Sequence, residues 1–287
     1  MNLIDIHTHG IGGHDTITTS KEDILKIAAI HGSHGVSEII PTIYSSETKT
    51  MRKHMQAVKQ AMEHQRNDAD RSARILGMHL EGPFLNPLRC GALDASSFLE
   101  PDERSLQELI DGYEDSVKII TIAPELEGAS KLIQRISDMG LMASMGHSEA
   151  TYAEAEAGYH AGAHGITHLF NAMRGIHHRE PGLAGFGLMH QDVYIEVIAD
   201  PFHLDQRILE MIFKVKNPER IIIVSDTIRA AKTEGNDGGI KNKNNTLLGG
   251  SMTIRESSRR LVKMGIDEEL VNKAVSENPR RYLEYRG

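Results

Sequence analysis

The feature that most constrains this chain is a rhythm: short apolar runs rich in β-forming residues alternate with segments of helical periodicity. Eight such runs recur, Leu3 to His7, Val36 to Tyr44, Ile75 to Leu80, Val117 to Ile122, Leu141 to Met145, Gly165 to His168, Val193 to Ala199 and Arg220 to Val224. Between most of them lie amphipathic stretches: Lys21 to His31, Thr48 to Gln65, Pro101 to Asp111, Ala129 to Met139, Ala150 to Gly162 and Asp205 to Lys214. Strand and helix in alternation favour a parallel sheet with helices outside, and eight repeats favour closure into a (β/α)8 TIM barrel over an open doubly wound sheet. The expected fold is thus α/β, one barrel spanning residues 1–287 with no linker and no second domain.

Two polar connections interrupt the pattern. Gly10-Ile11-Gly12-Gly13 follows the first run without a helix starting tightly on it, so it reads as a mobile loop over the barrel mouth and not as a phosphate cradle. The stretch 230–250, with Gly235-Asn236-Asp237-Gly238-Gly239 and Lys241-Asn242-Lys243-Asn244-Asn245, is too polar and glycine-rich for a helix. It is expected as a mobile active-site loop, either a lid or disordered. Met252 to Met264, Asp267 to Ser276 and a short helix from Asn278-Pro279 close the chain.

Composition removes several classes of function. A formal net charge of -8 argues against a dedicated nucleic-acid surface, although it leaves room for one cationic pocket that binds a small phosphate. One cysteine, Cys90, excludes an internal disulfide and suits a reducing compartment. No apolar run approaches the roughly eighteen residues needed to cross a bilayer, and Met1-Asn2-Leu3-Ile4-Asp5 has no basic n-region. The expectation is a cytoplasmic, unprocessed chain with no membrane partner. His31, His54, His64 and His160 fall in helical patterns, where a solvated ring is the default reading.

In a barrel of this type the C-terminal ends of all strands meet on one face, so residues distant in sequence become neighbours there. The first run ends in His7 and His9, the third in Glu81, the fifth in His147, the sixth in His168, the seventh in Asp200 and His203, and the eighth in Asp226. Alternate residues of an extended chain share a face, so His7 and His9 point the same way. Taken alone they could be a solvent-facing pair. Histidine or carboxylate at six of eight ends is a different matter, because a random scatter would fall equally on both faces and in the helices. Four neutral imidazoles and one carboxylate suit one or two divalent ions such as zinc or iron, with Glu81 serving one ion or bridging two. A bound metal makes hydroxide available near neutral pH, which implies hydrolysis. Asp226 is the candidate acid/base, a helix or turn cap being its other reading. His203 could be a ligand, a donor to the substrate or an unrelated loop residue, and donor is preferred because the ligand set is already full. Arg179 either clamps an anion or pairs with Glu180 at the surface.

At these residues the chain resembles the amidohydrolase superfamily, and closely the N-acetylglucosamine-6-phosphate deacetylases. The resembling segments are Asp5-Ile6-His7-Thr8-His9-Gly10, Gly77-Met78-His79-Leu80-Glu81-Gly82-Pro83-Phe84, Gly146-His147-Ser148, Thr167-His168-Leu169-Phe170-Asn171-Ala172-Met173, Arg179-Glu180-Pro181-Gly182 and Ser225-Asp226, in order along nearly the whole chain. The resemblance implies that Glu81, His147 and His168 hold the main ion, that His7 and His9 with Glu81 hold a second where the family has two, and that Asp226 is the acid/base. It implies His203 on the sugar, and Asn171, the Ala172 amide and Arg179 on the phosphate, Arg179 coming from the neighbouring subunit of a homodimer. An Arg fork suits a phosphate dianion by geometry as well as charge.

There are departures. Family members usually carry a small β-sandwich built from segments before the first strand and after the last helix, and the expectation here is a barrel without it. Leu93 stands where the family often has a polar, substrate-facing side chain, and Pro201 and Thr227 replace the usual glycine and alanine. The expected function is metal-dependent hydrolysis of the acetamide of N-acetylglucosamine 6-phosphate, with His203 and the ion holding the oxyanion and Asp226 passing the proton to the amine. The alternatives are an amidohydrolase for another N-acyl or cyclic amide, and an inactive barrel used for binding.

Overall fold

A computed structural model describes residues 2–67, 72–231 and 239–285. Eight parallel strands follow one another around the molecule: β1 Leu3–Thr8, β2 Val36–Tyr44, β3 Met78–Glu81, β4 Val117–Ile122, β5 Met142–Met145, β6 Ala163–Ile166, β7 Tyr194–Ile198 and β8 Ile221–Val224. Each is hydrogen-bonded to the next in chain order. Most of their residues are buried on both faces, as a sheet covered by helices outside and packed on itself inside requires. Closure comes where β8 returns to β1. There Asp226 donates its N–H to the His7 carbonyl at 2.8 Å, His9 donates to the Thr227 carbonyl at 2.7 Å, and the Asp5 carboxylate accepts from Ser225 N–H at 3.2 Å.

The outer layer is α1 Lys21–Ser33, α2 Thr48–Asn67, α3 Glu103–Ile110, α4 Ala129–Asp138, α5 Tyr152–His160, α6 Gly182–Met189, α7 Gln206–Val215 and α8 Ile254–Lys263, followed by Glu268–Asn272, a π-turn at Lys273–Glu277 and a last helix Asn278–Glu284. Ser20, Asp102, Thr151, Asp205 and Thr253 cap their helices through side-chain oxygens, and Thr151 and Thr253 form capping boxes with Glu154 and Glu256. An inner core of Ile4, Ile6, Ile40, Ile119, Ile222 and Val224 is plugged by Tyr282 from the last helix. None of the helices is long and apolar enough to cross a membrane among the described residues.

Several expectations need correction. The third run is two pieces, because Arg74–Ile75 pairs with β2 at Glu38–Ile39 while β3 pairs further along, and between them Gly77 passes so close to Ser116 O and Lys118 that a Cβ would clash. A helix absent from the sequence reading, α6, lies between β6 and β7. Gly10–Ile11 and His14–Asp15 form a short antiparallel hairpin tied by backbone bonds to the segment after β8, Gly12 N–H to Ala231 O at 2.9 Å and Gly13 N–H to Arg229 O at 2.8 Å. Of the stretch 230–250, residues 232–238 lie outside the described residues, whereas Ile240–Lys241 and Leu247–Gly249 pair as a second hairpin. His31 is fully buried, 3.1 Å from the Thr8 hydroxyl, and burial pushes its pKa down to about 3. His54 is buried as well.

Candidate active site

The strand ends bring the two histidine pairs together around one carboxylate. The Nε2 atoms of His7 and His9 face each other at 3.3 Å, those of His147 and His168 at 3.1 Å. Glu81, at the end of β3, lies between the pairs: its Oε1 is 3.1 Å from both His147 and His168 and 3.6 Å from His7, and its Oε2 is 3.3 Å from His9. Asp226 closes the other side, its Oδ1 3.5 Å from His7 Nε2 and 3.4 Å from His9 Nε2. All six residues are buried.

What each ring does with its second nitrogen decides the chemistry. His9 Nδ1 lies 3.1 Å from the Thr42 carbonyl, His147 Nδ1 2.9 Å from the Arg89 carbonyl, and His7 Nδ1 2.9 Å from the Glu196 carboxylate. Carbonyl oxygens only accept, so the Nδ1 atoms of His9 and His147 carry the protons; the Nε2 lone pair of His9 points at Glu81 and Asp226 and that of His147 at Glu81. Burial lowers the pKa of His7 well below the usual value, which keeps that ring neutral too. Lone pairs of nitrogen and carboxylate oxygen converging this closely repel unless a cation lies among them. The donor set therefore fits a divalent ion, with outer partners that orient the ligands. The ligand atoms form two groups, His7 with His9 and Asp226, and Glu81 with His147 and His168.

Burial, followed by the nearby Glu81, pushes the Asp226 carboxyl well above the usual carboxylate range.

Above this floor opens a cleft of about 530 Å3. His203 reaches it from the loop after β7, its Nδ1 held by Asp200 at 3.0 Å, which leaves Nε2 as its free nitrogen. Asp200 is itself fixed by the N–H groups of Phe202 and His203, both at 2.9 Å, and burial is outweighed by these partners, so its pKa falls to about 2. Asn171, Ala172, Leu93 and Pro201 also line the cleft. His147, His168, Ala172 and Asp226 all have positive φ, between 32° and 48°, a left-handed backbone rare outside glycine and concentrated here at the cleft.

Arg179 stands elsewhere. It is exposed, its Nη1 3.2 Å from His178 Nε2, and it is not part of the cleft of its own chain. The surface pair with Glu180 is not formed either, because the Glu180 carboxylate accepts from the N–H groups of Tyr152 and Gly182 at 2.8 and 3.0 Å. Conversely, three contributors escaped the sequence reading. Glu196 supports His7, Tyr44 stacks on the His9 ring at 3.8 Å, and Lys241 enters the cleft from the second hairpin. Glu196 had a signal, a lone acid inside the apolar run Tyr194-Ile195-Glu196-Val197-Ile198.

A model of the Amidohydrolase family matches residues 3–281. The chain belongs to that family. Among curated amidohydrolase relatives it is 28% identical to an N-acetylgalactosamine-6-phosphate deacetylase of Escherichia coli O157:H7 over 98% of this chain and 76% of the relative. It is 33% identical to an N-acetylglucosamine-6-phosphate deacetylase of Bacillus subtilis over 88% of this chain but only 62% of the relative. The chain thus spans about three-fifths to three-quarters of the length of these two relatives. Among solved structures, the N-acetylglucosamine-6-phosphate deacetylase of Thermotoga maritima superposes with a TM-score of 0.88 at 29% identity, covering 99% of this chain and 78% of that one. A Mycobacterium smegmatis deacetylase variant, solved in complex with N-acetyl-D-glucosamine-6-phosphate, gives 0.86 at 29% identity, covering 99% and 77%.

Proposed function

We propose that this amidohydrolase is a metal-dependent amide hydrolase that removes the acetyl group from an N-acetylated amino-sugar 6-phosphate, N-acetylglucosamine 6-phosphate first, and that the barrel is its catalytic unit. The observation that carries the reading is the convergence of four imidazoles on Glu81, with Asp226 beside His7 and His9, and with the Nε2 atoms of His7, His9 and His147 turned inward by partners at Nδ1. The substrate class comes from the relatives named above.

Glu81, His147 and His168 would hold one ion, and His7 and His9 with Glu81 a second; nitrogen with carboxylate oxygen suits zinc or iron. A divalent ion held there supplies Lewis acidity and a water of lowered pKa. The chain's own groups do the rest. Asp226 takes the proton of the attacking water at its carboxylate and passes it to the departing amine. His203, oriented by Asp200 at Nδ1, turns Nε2 to the carbonyl oxygen and donates to it only as the doubly protonated ring. Asn171 and the Ala172 N–H receive the phosphate. Arg179, exposed on its own chain, would meet that phosphate only from a second copy, so the reading includes a homodimer; a monomer by light scattering removes that contact.

The chemical role is tested with Asp226→Asn. The variant is expected to keep its bound metal, because the Glu81, His147 and His168 group is untouched, and to lose turnover by at least about a thousandfold, the scale of general acid/base and charge stabilisation together. A variant that keeps its rate removes Asp226 from the chemistry.

A second reading, hydrolysis of another N-acyl or cyclic amide, is favoured by one observation: Leu93 puts an apolar side chain on the cleft wall, which Phe202 and Leu247 also line.

A further inference from the structure

The two groups of ligand atoms are held in different ways. His7 lies on β1, and His9 and Asp226, the latter with φ 48°, follow β1 and β8; they are buttressed by β2 through Thr42 O, by β7 through Glu196 and by the β1 to β8 closure. His147 and His168 stand on longer strained loops after β5 and β6: φ is 47° at His147, 32° at His168, 75° at Phe170 and 47° at Ala172. Such residues cost on the order of 1–3 kcal/mol each and persist only where their surroundings over-determine them. Two carboxylates outside the ligand set do that here.

Glu149, two residues after His147, is bonded on both oxygens. Its Oε1 accepts from Arg89 Nε, and its Oε2 accepts from Arg174 Nε at 3.1 Å. Arg89 belongs to the loop after β3, and its carbonyl orients His147 Nδ1. Arg174 belongs to the loop after β6, just beyond Asn171 and Ala172, and its N–H donates to Ser148 O at 2.9 Å. Glu125, after β4, accepts from Asn86 Nδ2 at 2.9 Å, Ser148 Oγ at 2.7 Å and Glu149 N–H at 2.6 Å, so it holds the base of the same turn.

We infer that Glu149 is a positioning residue for the Glu81, His147 and His168 group: by tying Arg89 to Arg174 it locks the loops after β3, β5 and β6 together and so sets how tightly that group holds a divalent cation. The inference rests on the metal reading of the site but not on the identity of the substrate. It also gives Arg174, with no place in the cleft lining, a reason to be where it is.

The experiment measures zinc affinity by competition with a chromophoric chelator, on the purified full chain, beside thermal melting of zinc-free and zinc-loaded protein. The variants are Glu149→Ala and Arg174→Met. Charge alone moves them in opposite directions, because losing a carboxylate near a cation weakens binding and losing a guanidinium strengthens it. The clamp predicts weakening in both, about 10–100-fold for Glu149→Ala, as for other partners that orient metal ligands, and less for Arg174→Met, which keeps the bond to Arg89. Zinc-free melting should shift little, while the gain on adding zinc shrinks. Tighter or unchanged zinc binding by Arg174→Met overturns the inference, as does a parallel fall of both melting points with zinc affinity intact, which would make the clamp merely structural. Wild-type protein that does not bind zinc overturns the metal reading itself; a chain that binds zinc yet releases no acetate from the sugar phosphate fails only the substrate reading.

Discussion

At the scale of residues, the active site depends on groups that hold other groups. Asp200 is the clearest case, since it binds His203 through both side chain and backbone and is held near a pKa of about 2. A carboxylate depressed in the folded state stabilises the fold above its unfolded pKa, near 4, and that contribution is lost as pH falls from about 4 toward about 2. Urea melts of wild type and Asp200→Asn should therefore differ by about 2 kcal/mol at pH 6, with the gap shrinking below pH 4; a gap independent of pH would mean that the pair contributes through shape alone. The histidines and carboxylates that converge were legible in the sequence because each ends or follows an apolar run, and a barrel gathers such ends on one face. Their partners were not legible. Thr42 and Arg89 serve through backbone carbonyls, which every residue has, and Arg179 stands exposed outside the cleft of its own chain.

At the scale of elements, strands and helices that read well are those whose burial is one-sided or continuous. The barrel strands are covered on both faces and so appear as mostly apolar runs, while α4, α7 and α8 show one apolar stripe. α6 escaped because Gly-Leu-Ala-Gly-Phe-Gly-Leu-Met is buried nearly all round and carries three glycines, which removes both the amphipathic period and the propensity. The second hairpin escaped because its sequence is polar, and what orders it is contact: Gly250 N–H donates to Asp226 O at 2.6 Å, and a Cβ at Gly250 would meet Ser225 O at 1.8 Å. Gly250→Ala should thus push the hairpin off β8, destabilise the protein by about 1–3 kcal/mol and lower activity by displacing Asp226. Gly175→Ala, with nothing within 4 Å of the added methyl, is the control expected to change neither. Equal melting points for the two variants would show that the hairpin does not lean on β8.

At the scale of the whole molecule, eight parallel strands exist to bring Glu81, four histidines and Asp226 from five strand ends to one buried point beneath a cleft. The chain order of the strands was legible because consecutive βα units must sit side by side with one hand of crossover. The substrate was less legible, since it is set by the cleft wall, where Leu93 and the second hairpin bring side chains that no strand pattern announces. The most direct measurement is acetate release from N-acetylglucosamine 6-phosphate by zinc- or iron-loaded protein, with the unphosphorylated sugar alongside. The proposed function predicts release that disappears on chelation and strongly prefers the phosphorylated sugar. No release from either sugar by metal-loaded protein, with turnover of a different N-acyl or cyclic amide, would contradict the sugar-phosphate assignment while leaving the metal centre standing.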